Sequence, residues 1–357
     1  KEIASRLDAL AKSRALPNAI LFSGNNCTGR MFAARQLCLA LKVQADNVII
    51  VSDRNHSFRI LTAVSLFSKH KNTSSKGFLR DSIEVLLQQY HGALLDGQNT
   101  AAGKKKFSDA SEVSELLKEL DRADENDAEA VSDRLMKAVY PLLDKNRTVA
   151  ITVGQVRAVR DWCMTSSMEG GKKIVIIEGL ENSGDSAVNA LLKILEEPPE
   201  NVHFILISSN EGKIPATILS RASKFRFRDL GPEEKKYILS GLFVDPSKYE
   251  SLSSFFLEGS GINDRLLSDA AKALILKQKI DMPALVSELE KNQGWDIFFD
   301  HVLSEINDAF TDGRMNQRTA EYLAGAINEA VIKGKTFNQN KRLTFDFVVY
   351  RTQEVNR

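Results

Sequence analysis

Short apolar runs and helix-spaced apolar positions alternate along the first two thirds of the chain. The runs at 19–22, 48–51, 174–177 and 202–207 are continuous and rich in Ile, Val and Leu, as suits strands buried on both faces of a parallel sheet. Helical periodicity marks 3–11, 31–41 and 151–162. It is clearest at Val188, Leu191, Leu192 and Leu195, after the polar turn Asn182-Ser183-Gly184-Asp185 and before the stop at Pro198-Pro199. Pro215 fits the first turn of a further short helix. Phe225 and Phe227 alternate with Arg226 and Arg228, as on a strand. This order predicts a doubly wound α/β domain.

Two regions depart from that rhythm. The stretch 72–147 is polar and charged, with helix-like spacing at 80–90, 111–120 and 128–143. GQNTAAGKKK and RADENDAE between them read as exposed loops. Lys104-Lys105-Lys106 is a solvated loop or, alternatively, a DNA contact. After the break at Gly231-Pro232, only helical patterns follow: 233–243, 249–257, 264–276, 284–290, 295–310, 320–332 and 343–354.

Composition adds limits. The 357 residues are enough for two or three domains. With 43% hydrophobic and 27% charged residues and a formal net charge of +1, nothing marks the whole chain as a polyanion binder, so any DNA contact is local. Three cysteines (Cys27, Cys38, Cys163), no evident signal segment and no apolar run of bilayer length predict a cytoplasmic protein without disulfides or membrane contact. His56, His70 and His91 are too scattered to predict a metal site, and none is expected.

The candidate chemistry begins after the first apolar run. Gly24-Asn25-Asn26-Cys27-Thr28-Gly29-Arg30-Met31 has the strand–loop–helix setting and glycine spacing of a phosphate-binding P-loop. Gly24, Thr28, Gly29 and Arg30 are therefore candidate nucleotide contacts. Arg30 stands where the pattern wants Lys, and Met31 where it wants Ser or Thr. Backbone N–H groups of such a loop cradle phosphates whatever its side chains. A thioether, however, is a poor ligand for Mg²⁺, the ion the missing hydroxyl would hold. A working ATPase, weak metal-free nucleotide binding and a loop kept only as a strand-to-helix turn are all open. The lost Mg²⁺ ligand favours the last, and no cofactor is expected.

The words NALLK-x-LEEPP and, one strand later, KIP-x-TILSR resemble the same region of bacterial DNA polymerase III clamp-loader subunits, members of the AAA+ class. The resemblance implies an α/β AAA+ domain with a RecA-like parallel sheet at 1–229, a helical lid at 230–280 and an all-α collar at 281–357. FNQNKRLTFDFVV, with Asn338 and Asn340 ahead of its helix, resembles the closing collar helix. A four-cysteine zinc module often follows the first helix in these subunits. It has no counterpart here, because no cysteine lies between Cys38 and Cys163. The charged insert at 72–147 stands instead.

Active members end their metal-binding strand in Asp-Glu, the second carboxylate activating water. Here Glu178-Gly179 follows Ile176-Ile177, so the base is missing. Glu181 is at the wrong offset. Ser208 and Ser209 end the next strand, where relatives sense the terminal phosphate. Ile262 stands where active members place a lid Arg, with Arg265 further on. By contrast, Ser220-Arg221-Ala222 matches the family's Ser-Arg-Cys motif at its charged residue. In the family that Arg acts in trans on a neighbour's ATP as an arginine finger. Arg221 and Ser220 are thus the expected catalytic positions. The resemblance implies a non-hydrolysing subunit of the DNA-directed DNA polymerase III holoenzyme. Its expected partners are gamma/tau and delta subunits and, through them, the sliding clamp and primer–template DNA. The alternatives are an active gamma/tau-type ATPase, against which Arg30, Met31 and Gly179 speak, and a nucleotide-independent AAA+ scaffold.

Overall fold

The computed structural model describes residues 2–12, 16–53, 56–95, 101–123, 127–143, 150–165, 171–292, 294–336 and 340–354. These fall into two compact units, Lys1–Ser253 and Ser254–Arg357.

The first unit opens with α1 (Glu2–Lys12), β1 (Ala19–Ser23), α2 (Arg30–Ala40) and β2 (Val48–Ser52). Four helices follow: α3 (Ser57–His70), α4 (Thr73–Leu87), α5 (Ala101–Arg122) and α6 (Asp127–Val139). The α/β alternation then resumes with α7 (Val153–Met164), β3 (Lys173–Glu178), α8 (Asp185–Glu196), β4 (Val202–Ser208), α9 (Ala216–Leu219) and β5 (Ser223–Arg226). α10 (Pro232–Gly241) completes the helices lying wholly in this unit.

The strands form one sheet in the order β2-β3-β4-β1-β5, with every pair parallel. Alternation along each strand sends side chains to two separate cores. Ala19, Leu21, Ile49, Val51, Val175, Ile177, Phe204 and Leu206 pack with α7, α8 and α9. Ile20, Phe22, Val48, Ile50, Ile174, Ile176, Ile205 and Ile207 pack with α1 and α2. Because both faces are covered, the strands read as continuous apolar runs. This is an open, doubly wound parallel α/β sheet, with β1 next to β4 so that the chain leaves neighbouring strand ends on both sides of one crevice.

The insert differs from its sequence reading. Residues 101–106 of GQNTAAGKKK are helical, not loop; 97–100 lie outside the described residues, as do 124–126 of RADENDAE. The following Phe107, Ala110 and Val113 carry a helical stripe that draws the Ala- and Lys-rich start into α5. Residues 57–70, for which the sequence reading proposed no helix, form a full helix as well. Ile60 and Phe67 of α3, Ile83 and Leu86 of α4, Val113 and Leu120 of α5, and Leu135 and Val139 of α6 share one buried core. The polar stretch therefore belongs to a four-helix module that begins ahead of residue 72. Val85 of α4 belongs instead to the core under the sheet, which fastens the module to the domain.

The second unit begins within α11 (Leu252–Gly259) and continues through α12 (Asp264–Ile275), α13 (Met282–Asn292), α14 (Trp295–Thr311), α15 (Gln317–Thr336) and α16 (Lys341–Glu354). Phe298, Val302, Leu323, Ile327, Phe345 and Val348 are fully buried in it. Phe345 packs edge-on against Trp295 and at a tilt against Phe298, with ring centroids 5.4 and 5.5 Å away. Ile262 is a core residue of this unit, and Arg265 is exposed with Asp269 at 3.9 Å. Asn338 lies outside the described residues. No helix among those described is long and apolar enough to cross a membrane.

Candidate functional site

The loop between β1 and α2 follows the carboxyl end of a central strand, where open α/β sheets bind ligands. Gly24 and Gly29 both have positive φ, +149° and +88°, and Gly29 caps α2 in a left-handed conformation. A Cβ on Gly24 would run into the backbone carbonyl of Phe227 just past β5. The loop is further tied there by Asn25 Nδ2, which donates to Asp229 Oδ1 and Oδ2 at 2.9 and 3.0 Å. Thr28 Oγ1 donates to Asn25 O at 2.8 Å, and the buried Arg30 donates from Nη2 to Asn26 Oδ1 at 3.3 Å. Both polar side chains thus bond within the loop. Met31 is 8% exposed and lies in the core beneath the sheet.

At the end of β3, Glu178 is buried. Its Oε2 accepts from Ser52 Oγ at 2.8 Å and lies 2.9 Å from His56 Nε2. Gly179 is left-handed (φ +86°), and the carboxylate of Asp53 occupies the space a Cβ would need. Asn182 Nδ2 holds that carboxylate through Oδ2 at 2.7 Å. Glu181 accepts from both the backbone N–H and the hydroxyl of Ser209 at 2.7 Å, so this side chain closes the end of β4. Ser208 is buried and accepts from Asn210 N–H at 3.1 Å. Nearby, Glu211 receives Lys224 Nζ at 2.9 Å and Ser23 Oγ at 3.0 Å. Those two bonds hold its carboxyl below the ordinary range.

These groups do not fit Mg²⁺-nucleotide chemistry. The position that should supply a hydroxyl ligand is a buried thioether, and the place for a catalytic carboxylate after Glu178 is filled from β2. Among the described residues, no group of three or more His, Cys, Asp or Glu is arranged to hold a metal ion.

Arg221 and Ser220 lie elsewhere. They end α9, just ahead of β5, and so sit at the amino edge of the parallel sheet. Ser223 is level with Ile20, while Gly24 is level with Phe227. The four residue steps from Ser223 to Phe227 span roughly 13 Å of strand, beyond the reach of an arginine side chain. The fold therefore separates the sequence-predicted residues into two groups on opposite edges. Gly24, Thr28, Gly29 and Arg30 stand at one, Ser220 and Arg221 at the other. Arg221 Nη1 donates to Thr217 O at 2.7 Å and Nη2 to Glu196 Oε1 at 3.0 Å. Ser220 Oγ donates to Thr217 O at 3.0 Å.

Residues 87–231 match the family described as DNA polymerase III, delta subunit. That segment contains Glu178, Gly179, Glu196 and Arg221 and begins after the Gly24–Arg30 loop. The delta′ subunit of DNA polymerase III from Buchnera aphidicola subsp. Baizongia pistaciae is 40% identical over 79 residues, 22% of this chain and 24% of that protein. Over this part of its length the chain is similar to delta′ subunits of DNA polymerase III. The delta′ subunit from Haemophilus influenzae is 39% identical over 71 residues, 20% of this chain and 22% of its own length. The tau subunit from Bacillus subtilis is 41% identical over 76 residues, 21% of this chain and 14% of its own length. The alignments span about a quarter or less of these relatives. A DNA polymerase III gamma subunit-related protein from Thermotoga maritima aligns over all of both chains at 13% identity and a TM-score of 0.44. The fold assignment rests on the strand order and not on that likeness.

Sequence reasoning missed Asp53, His56, Ser52, Asn182 and Glu196 as parts of these two edges. Asp53 carries the one legible signal, a carboxylate two positions after an apolar run, where strand ends meet the crevice. Glu196 was visible only as part of LEEPP.

Proposed function

We propose that this chain is a non-hydrolysing clamp-loader subunit that supplies Arg221 in trans to ATP held by a neighbouring subunit. It would assemble with gamma/tau and delta subunits, as its delta′ relatives' names suggest, and the assembly would open the sliding clamp and seat it at primer–template junctions. The lid and collar divisions at 230–280 and 281–357 belong to the same reading, the collar holding the subunits together.

The observation that carries the proposal is the opposition of the two edges. Three positions that ATP hydrolysis by the chain itself would use are altered at the carboxyl edge of the sheet: Arg30 is folded into its loop, Met31 is in the core, and Asp53 fills the space at Gly179. The residue that acts on another subunit's nucleotide needs none of these. Arg221 lies at the amino edge, half-exposed, with a planar guanidinium whose fork matches phosphate oxygens.

The test is DNA-stimulated ATP hydrolysis by a reconstituted clamp loader containing the native chain or Arg221→Ala. Turnover at the neighbouring site is expected to fall by about 10³-fold or more, the range of in-trans fingers, with the complex still assembled. Total turnover falls less, because other ATP sites persist. Unchanged turnover sinks the finger role, and Mg²⁺-dependent hydrolysis by the isolated chain sinks the non-hydrolysing one.

A further inference from the structure

We propose that Glu196 is a positioning residue for Arg221, fixing the guanidinium at the subunit edge before a neighbour's phosphate reaches it. The inference rests on the trans reading of Arg221. The guanidinium is gripped at two points that come from two helices. Nη1 donates to the carbonyl of Thr217 in α9 at 2.7 Å, and Nη2 donates to Glu196 Oε1 in the last turn of α8 at 3.0 Å. A guanidinium carries five N–H donors in a planar fork. Two such bonds, one from each terminal nitrogen, define the plane of the fork and leave other donors for phosphate oxygens.

The siting of Glu196 is itself informative. A carboxylate in the last turn of a helix faces the negative end of the macrodipole, where a cation is favoured. Glu197 follows it directly, so two acidic residues end α8 ahead of Pro198. The carbonyl of Thr217 likewise belongs to the end of α9, where carbonyls lack helical partners. Arg221 thus bridges two electron-rich helix ends, and α8 packs its buried face on the sheet through Leu191, Ile194 and Leu195. The finger is thereby held by regular elements of the fold, which keep geometry better than loops do. Both partners are substantially exposed, and an exposed ion pair contributes little to stability. What two fixed bonds supply is orientation, and a misplacement of about 1 Å in a catalytic group can cost on the order of 10²-fold in rate.

The experiment uses the reconstituted clamp loader with Glu196→Ala, Glu196→Gln, Arg221→Ala and the Glu196→Ala/Arg221→Ala pair. The readouts are kcat and KM for DNA-stimulated ATP hydrolysis, assembly by gel filtration, and the melting temperature of the isolated chain. Glu196→Ala is expected to reduce the Arg221-dependent part of kcat about tenfold, with KM, assembly and melting temperature unchanged. Glu196→Gln, whose amide oxygen still accepts from Nη2, restores most of the rate. On the Arg221→Ala background, Glu196→Ala has no further effect. If Arg221→Ala lowers turnover and Glu196→Ala does not, or raises it, Glu196 is not a positioning residue and the finger role stands. If Glu196→Ala lowers turnover equally with and without Arg221, the coupling is absent and the inference falls. If Arg221→Ala itself has no effect, both readings fall.

Discussion

Gly179 and Asp53 compete for one volume. The Asp53 carboxylate, arriving from the end of β2, lies where any side chain on Gly179 would begin, and Asn182 holds it there at 2.7 Å. The position after Glu178, where the resemblance leads one to expect a carboxylate, is therefore not a vacancy that a single substitution can fill. Gly179→Glu must place a side chain at φ +86° and into that carboxylate. The left-handed backbone and the overpacking together cost about 2–5 kcal/mol. The expected outcome is a lower denaturation midpoint and no ATP hydrolysis. A variant that also carries Asp53→Gly should regain part of the stability, and urea titrations of the two check this.

Met31→Thr, the change that restores the P-loop hydroxyl, should also destabilise. Met31 packs with Ala34, Leu37 and Phe22 beneath the sheet. Removing its thioether leaves a cavity, and the new hydroxyl is buried, so a loss of about 2 kcal/mol or more is expected. Chemical denaturation checks the loss, and an isothermal titration with Mg²⁺-ATP should show no gain in binding.

Acid should weaken the first unit before its carboxylates titrate. Burial is the main cause that pushes both His91 and His203 below their ordinary value of about 6.5. His91 uses both ring nitrogens as a neutral imidazole: Nε2 donates to Asp46 O at 3.0 Å, and Nδ1 accepts from Ala93 N–H at 3.2 Å. His203 donates from Nδ1 to Pro17 O at 3.1 Å. The unfolded chain binds these protons more readily than the folded one. Stability is thus complete above about pH 6.5 and falls as the pH drops below it. Melting temperatures measured from pH 7.5 to 5.5 should decline, and a His91→Gln/His203→Gln variant should show a flatter profile.

The insert should behave as packed structure. Ile83 and Leu135 are fully buried in its four-helix core. Alanine at either position should cost about 2–5 kcal/mol, read by denaturation together with amide exchange. Loss confined to α3–α6 would mean that the module opens by itself. Loss that spreads to β1 and β4 would mean that it opens with the sheet, to which Val85 ties it.

Strands β1 to β4 were legible because burial on both faces writes an uninterrupted apolar run. α8 was legible because its stripe is bounded by a polar turn and two prolines. Met31 and Gly179 stood out in the sequence as departures from the spacing pattern, and the structure places Met31 in the core and Asp53 against Gly179. α3 and the start of α5 were not read: their apolar positions face other helices of the insert, so their periodicity gains meaning only once those helices are paired. The split at 253/254 was equally hidden, since it falls inside α11.

By itself, then, the chain's order of residues determined the strands β1 to β4, most of the helices and the parallel α/β class, because each depends on local spacing and on side-chain chemistry. Tertiary structure alone decided that Asp53 fills the place beside Gly179, that Glu181 closes over Ser209, and that Glu196 grips Arg221 across 25 residues of chain. It also decided that Arg221 and Gly24 lie on opposite edges of the sheet. The strand order sets which ends become neighbours, and no periodicity along a single strand carries that order.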